Sequence, residues 1–163
     1  MTGPGTPEDT GRTEPRRSGG VDPRLGMTVV HRRYVPYGHA HYAGHLVDGA
    51  YGLGLFGDAA TELCIRSDGD EGLFASYSDV QFLAPVRAGD CVEVAATLVR
   101  VGTRSRTVDF RLTVVARGRP DLGESAAELL DEPLLATTAT GVVVVPVRRV
   151  SSDTPESARF QQF

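Results

Sequence analysis

Between positions 46 and 66, apolar side chains recur at steps of three and four: Leu46, Val47, Ala50, Leu53, Phe56, Ala59, Ala60 and Leu63. That period predicts a helix, and apolar residues on most of its faces predict a buried one. Glycines at 49, 52, 54 and 57 interrupt it, each costing roughly 1 kcal/mol against alanine in a helix interior. Something is therefore expected to approach that backbone closely. Elsewhere the rhythm is that of strands. The stretch "MTVVHRRYVP" at 27–36 reads as a first strand, and further strands are predicted at 73–83, 91–101, 103–116 and 134–147. "APVRAGD" separates the strands at 73–83 and 91–101, and "VGTRSR" makes a hairpin between those at 91–101 and 103–116. Within "RPDLGESAAELLDEP" a short helix is expected around 125–130. One early helix followed by a run of antiparallel strands indicates an α+β domain, a single long buried helix wrapped by one curved antiparallel sheet of about five strands.

The flanks carry a different pattern. Residues 1–25 are Gly, Pro, Thr and charge with almost nothing to bury, and are expected to form a disordered arm. Residues 149–163 read as a flexible tail, which leaves a domain over 26–148 with an insert at about 118–132.

Composition narrows the chemistry. The 163 residues suffice for one domain with a real core, and no run of 18 apolar residues suggests a membrane span. No secretory hydrophobic region is evident, so a cytoplasmic protein is expected. A net charge of −4 argues against a nucleic-acid groove. All 17 basic residues are arginine. Without lysine, Schiff-base chemistry and an internal pyridoxal phosphate aldimine are excluded. Cys64 and Cys91 sit in apolar surroundings and read as reduced core residues.

Candidate chemistry concentrates in "GHAHYAGHLVDGA", residues 38–50, which holds three of the four histidines. Such crowding reflects a metal site, proton transfer or a surface loop. His-x-His followed by a third histidine four residues on is a weak zinc signature, and no metal is expected. Farther along, Asp58 and Glu62 lie four apart, on one face of the predicted helix. Two acids on a buried face need an explanation. Either they act on a histidine or a cationic amine, or they pair with an arginine such as Arg66.

The element order, together with "HYAGHLVDGA", "LFGDAATELCIRSDGDEGLF", "VQFLAPVRAGD", "VRVGTRSR" and the insert, resembles the hotdog fold over roughly residues 30–146. More narrowly it resembles the 3-aminobutyryl-CoA ammonia-lyases. That resemblance implies a carbon–nitrogen lyase that reversibly adds an amine, ammonia or an amino acid such as glycine, to the β-carbon of a short enoyl thioester. The thioester handle would be coenzyme A or an acyl carrier protein, possessed by the substrate rather than bound as a separate cofactor. A homodimer or dimer-based oligomer is implied, and a secondary-metabolite setting fits. A hotdog thioesterase is the alternative.

Residue roles follow as expectations. His45 is the first choice of acid/base and His41 the second, since imidazole titrates near neutrality; His39 is expected to face solvent. Asp48, Gly49 and Ala50 open the helix, where free amides would cradle an enolate-like oxygen, although Asp48 serves equally as an N-cap. Asp58 and Glu62 are candidates to orient a histidine or hold an amine. Arg104 and Arg106 occupy the hairpin that resembles the phosphate-contacting position of hotdog proteins. Tyr51 and Tyr42 line an acyl pocket or belong to the core.

Overall fold

A computed structural model describes residues 20–146. The arm expected at 1–25 lies mostly, and the tail expected at 149–163 wholly, outside the described residues. Strand β1 (Thr28–Tyr34) leads into the histidine loop, which is built from two 3₁₀ turns (Tyr37–His39, Ala43–His45) and short strands β2 (Ala40–Tyr42) and β3 (Leu46–Val47). Helix α1 (Gly49–Asp68) follows, then β4 (Leu73–Phe82), β5 (Cys91–Val101), β6 (Ser105–Gly118) and β7 (Ala127–Val144). The five long strands pair antiparallel in the order β1-β5-β6-β7-β4.

Alternation explains the wrapping. On β5, Val92, Val94, Ala96 and Leu98 turn inward, and on β6 Val108, Phe110, Leu112 and Val114 do the same, all of them buried. Against them α1 lays Leu55, Phe56, Ala59, Ala60, Leu63 and Cys64. Phe56 stacks on Phe110 with ring centroids 4.9 Å apart. Each large side chain removed from water in this way contributes about 1.5–3 kcal/mol. Tyr77 on β4 donates its hydroxyl to the Leu53 carbonyl at 2.7 Å, and burial pushes its pKa up to about 12.

Both helix ends are capped. Asp48 accepts a hydrogen bond from the Tyr51 amide at 2.9 Å. At the other end Gly69, at φ 66°, supplies the left-handed residue that closes the last turn through its amide to the Ile65 carbonyl.

Three expectations need correction. The helix begins at Gly49 rather than 46, because Leu46 and Val47 pair with β2 as β3. It is buried on one side only: Ala50, Gly54, Asp58, Thr61 and Ile65 face outward. The helix expected at 125–130 is absent; β6 and β7 extend toward one another until Gly118 pairs with Ala127, and the Arg119 amide donates to the Ala126 carbonyl at 2.7 Å. A ladder of that length outweighs the helical propensity of Ala, Glu and Leu. Both cysteines are free. Cys64 is buried with its thiol pushed up to about 11 by desolvation, whereas Cys91 is only half-buried.

Candidate active site

The first turn of α1 meets the end of β4 and the loop after it, enclosing a cleft of about 420 Å³. Asp48, Gly49, Tyr51 and Gly52 form its helical wall, Phe82 and the loop to Val86 the opposite wall, and Leu112 and Thr137 the floor. Glycine at 49 permits a close approach here. A Cβ at that position would stand 2.5 and 2.6 Å from two ring carbons of Phe82, so glycine lets the aromatic wall close on bare backbone. Gly52 similarly lies against Leu112. Gly54 and Gly57 have open space where a side chain would project. The close approach expected of the glycines therefore holds for the first pair and not, within one chain, for the second.

The helix start offers donors. The first amides of a helix have no intrahelical acceptor, and the capping carboxylate takes that of Tyr51, leaving Gly49 and Ala50 ahead of it. These groups and the helix dipole favour negative charge at the cleft.

The histidines separate. His41 is exposed and does not itself line the cleft, but its Nδ1 stands 3.8 Å from Oδ2 of Asp48, which does. His39 packs on Tyr51, itself a cleft residue, with centroids 4.5 Å apart, and burial raises the Tyr51 phenol above its usual range. Tyr42 also borders the cleft. His45 does not. It adopts φ 61°, its carbonyl accepts from the Ala88 amide at 2.9 Å, and its ring turns edge-on to Tyr37. There it borders a separate cavity of about 120 Å³ shared with Arg87, Asp90 and Arg117. The pairing of its backbone with the 86–88 segment rotates the imidazole away from α1, which corrects the expectation of one shared chamber.

The acids and arginines also lie apart from the cleft. Asp58 is exposed, with Arg33 at 3.8 Å. Glu62 is held by His31 and, at 2.6 Å, by Arg66, and its pKa is lowered first by the His31 hydrogen bond and then by Arg66. Arg106, expected with Arg104 at a phosphate-contacting hairpin, is buried: Nε and Nη2 donate to Asp68 at 2.9 and 2.5 Å, and Nη1 to the carbonyls of Gly102 and Ser105. Four of its five N–H donors are thereby taken, and its burial keeps it from phosphate. Arg104 is exposed, but its hairpin adjoins the far end of α1, a helix of 20 residues spanning about 30 Å. Within one chain neither arginine meets the cleft.

Phe82, Leu112 and Thr137 are cleft residues that sequence reasoning passed over. Strand parity contained the signal for two of them, since Leu112 shares a face with Phe110, and Thr137 with Ala139 and Val143.

A single helix wrapped by a five-stranded sheet, with a cleft at the helix start, defines the hotdog architecture. A family profile described as the thioesterase superfamily matches residues 44–118. Over 107 residues the chain is 50% identical to the 3-aminobutyryl-CoA ammonia lyase of Acetoanaerobium sticklandii, covering 66% of this chain and 85% of that protein. The solved beta-alanyl-CoA:ammonia lyase of Clostridium propionicum superposes with a TM-score of 0.70 at 36% identity, covering 74% of this chain and 86% of that one. A hexameric hotdog fold thioesterase of Campylobacter jejuni, 19% identical with a TM-score of 0.60 over 78% of this chain and 88% of its own, shares the fold. The chain belongs to the hotdog-fold family of CoA-ester ammonia lyases.

Proposed function

We propose that this chain, in an assembly of at least two copies, reversibly adds ammonia or a small amine to the β-carbon of a short enoyl-CoA thioester. The observation that carries this reading is the cleft at the start of α1, bordered by Gly49 and by Asp48, whose second oxygen lies 3.8 Å from His41, in a chain 50% identical to an ammonia lyase. The thioester oxygen sits against the amides of Gly49 and Ala50, which stabilise the charge that develops there. In the elimination direction His41 takes the proton from the α-carbon, the α–β double bond forms, and the Cβ–N bond breaks with its electron pair leaving on nitrogen. The nitrogen leaves from its ammonium form, so the departing pair gives neutral ammonia directly, and the imidazolium then gives its proton to solvent. Addition is the reverse, with His41 returning the proton to the α-carbon. Asp48 orients the imidazole and stabilises its cation.

Support for a second copy comes from what one chain leaves uncovered. Edge strand β4 exposes Leu73 and Phe82, with Leu83 exposed just beyond it, and the outward face of α1 at Gly54, Gly57 and Asp58 is open. A second copy on that face would bring another set of side chains toward Asp58.

The test incubates the full chain with crotonyl-CoA and ammonia and follows products by mass spectrometry. An adduct with the thioester intact is expected; prompt release of free thiol without adduct would identify a thioesterase instead. Glycine in place of ammonia, and a carrier-protein thioester in place of the CoA ester, read the amine and the handle. His41→Ala is expected to lower kcat/KM by about 10²–10⁴-fold, and His45→Ala far less. Full activity in His41→Ala would remove the acid/base assignment.

A further inference from the structure

The buried polar side chains of the described residues are Asp90, Arg106 and Thr137. Asp90 is paired with Arg117, and Arg106 with Asp68. Thr137, only 4% exposed, forms no hydrogen bond through its hydroxyl with any described residue. It stands in a row across the sheet, His31–Val94–Leu112–Thr137–Phe82, with an apolar neighbour on either side. No side-chain oxygen of the described residues is sealed away without a partner, so the Thr137 hydroxyl, lacking a hydrogen bond, keeps contact with the open space of the cleft that Thr137 lines. Valine has the same shape but would present no polar atom there. Thr137 lines the cleft with Leu112, and both side chains approach Gly52 on the helical wall.

The spacing along α1 gives this group a task. Thr137 Oγ1 lies 3.9 Å from where a Cβ on Gly52 would stand. Gly52 follows Gly49 by three residues, about 4.5 Å of helix rise. A thioester oxygen held at the first turn therefore leaves the β-carbon of a short acyl chain at the level of Gly52, facing Thr137.

Building on the proposed function, we infer that the Thr137 hydroxyl recognises the β-substituent of the acyl group, hydrogen-bonding its nitrogen or oxygen, while Leu112 closes the end of the chamber. Substrate is thereby selected for a polar atom on the β-carbon and not for chain length alone. A site built to hydrogen-bond such an atom discriminates against the analogue lacking it, because its own polar group is otherwise left unpaired.

The experiment measures binding of two CoA esters to the full chain by calorimetry: butyryl-CoA, bare at the β-carbon, and 3-hydroxybutyryl-CoA, which carries a β-oxygen. Thr137→Val is expected to weaken 3-hydroxybutyryl-CoA about tenfold while leaving butyryl-CoA unchanged, which also shows that the variant is folded. Thr137→Ser, which keeps the hydroxyl, is expected to restore the difference. Equal weakening of both esters, or no change in either, overturns the inference and leaves the proposed function standing. Failure of the unaltered chain to bind either ester overturns both.

Discussion

The two ends of α1 carry similar inventories of charge and use them in opposite ways. At the C-terminal end Asp68 is gripped by Arg106 and by Arg24, and Glu62 by His31 and Arg66. At the N-terminal end Asp48 uses one oxygen on its cap and leaves the other 3.8 Å from His41, while the Thr137 hydroxyl has no hydrogen-bond partner among the described residues. Glycine at 49 and 52 leaves space where other residues would place atoms. One end has its polar groups satisfied and braces the fold. The other keeps donors and acceptors in reserve, which is what binding a substrate requires.

Substitutions that treat the two ends alike should therefore give unlike results. The largest effect is expected from Arg106→Ala, which takes the two-pronged partner from the largely buried Asp68 and leaves it only Arg24 and Ser67. It should cost about 3 kcal/mol in urea unfolding, with ligand affinity per folded molecule retained. Asp48→Ala removes the helix cap and should cost only about 1 kcal/mol, yet kcat/KM for ammonia addition should collapse because His41 loses its carboxylate. Gly52→Ala inverts the pattern. Its methyl meets Leu112 at 3.4 Å, an ordinary contact, so thermal stability should rise by about 1 kcal/mol while butyryl-CoA binding weakens relative to acetyl-CoA. At neutral pH a final comparison is silent and emerges only on acidification. The Arg106 hydrogen bonds hold Asp68 below the usual carboxylate range. Its contribution is therefore complete above about pH 4 and lost as pH falls through the lowered folded value. Asp68→Asn should flatten the acid limb of the stability curve, whereas a substitution of Asp58, which is exposed, should not.

Much of this was legible before any coordinates. The alternation of "CVEVAATLVRV" gives β5 with its bounds, and Asp48 ahead of an apolar run marks the helix start. The inward turn of Arg106 was also implicit, since it shares parity with Val108 and Phe110, but a hairpin tip suggested solvent. Two features escaped for physical reasons. The insert is rich in helix formers, and only its pairing across the β6–β7 ladder makes it strand. His45 is turned aside by a positive φ and a backbone bond to Ala88, forty-odd residues away, which no local pattern encodes. Cleft residues from β4, β6 and β7 meet only through sheet register, so their company is a tertiary property.

Phe82 carries one more consequence. It forms a wall of the cleft, yet it belongs to β4, a strand at the border of the sheet with one side unpaired. Whatever docks along that border stiffens the same backbone from which the aromatic ring projects. Self-association and ligand affinity are then thermodynamically linked, and dilution should blunt turnover in a manner that added acyl ester reverses.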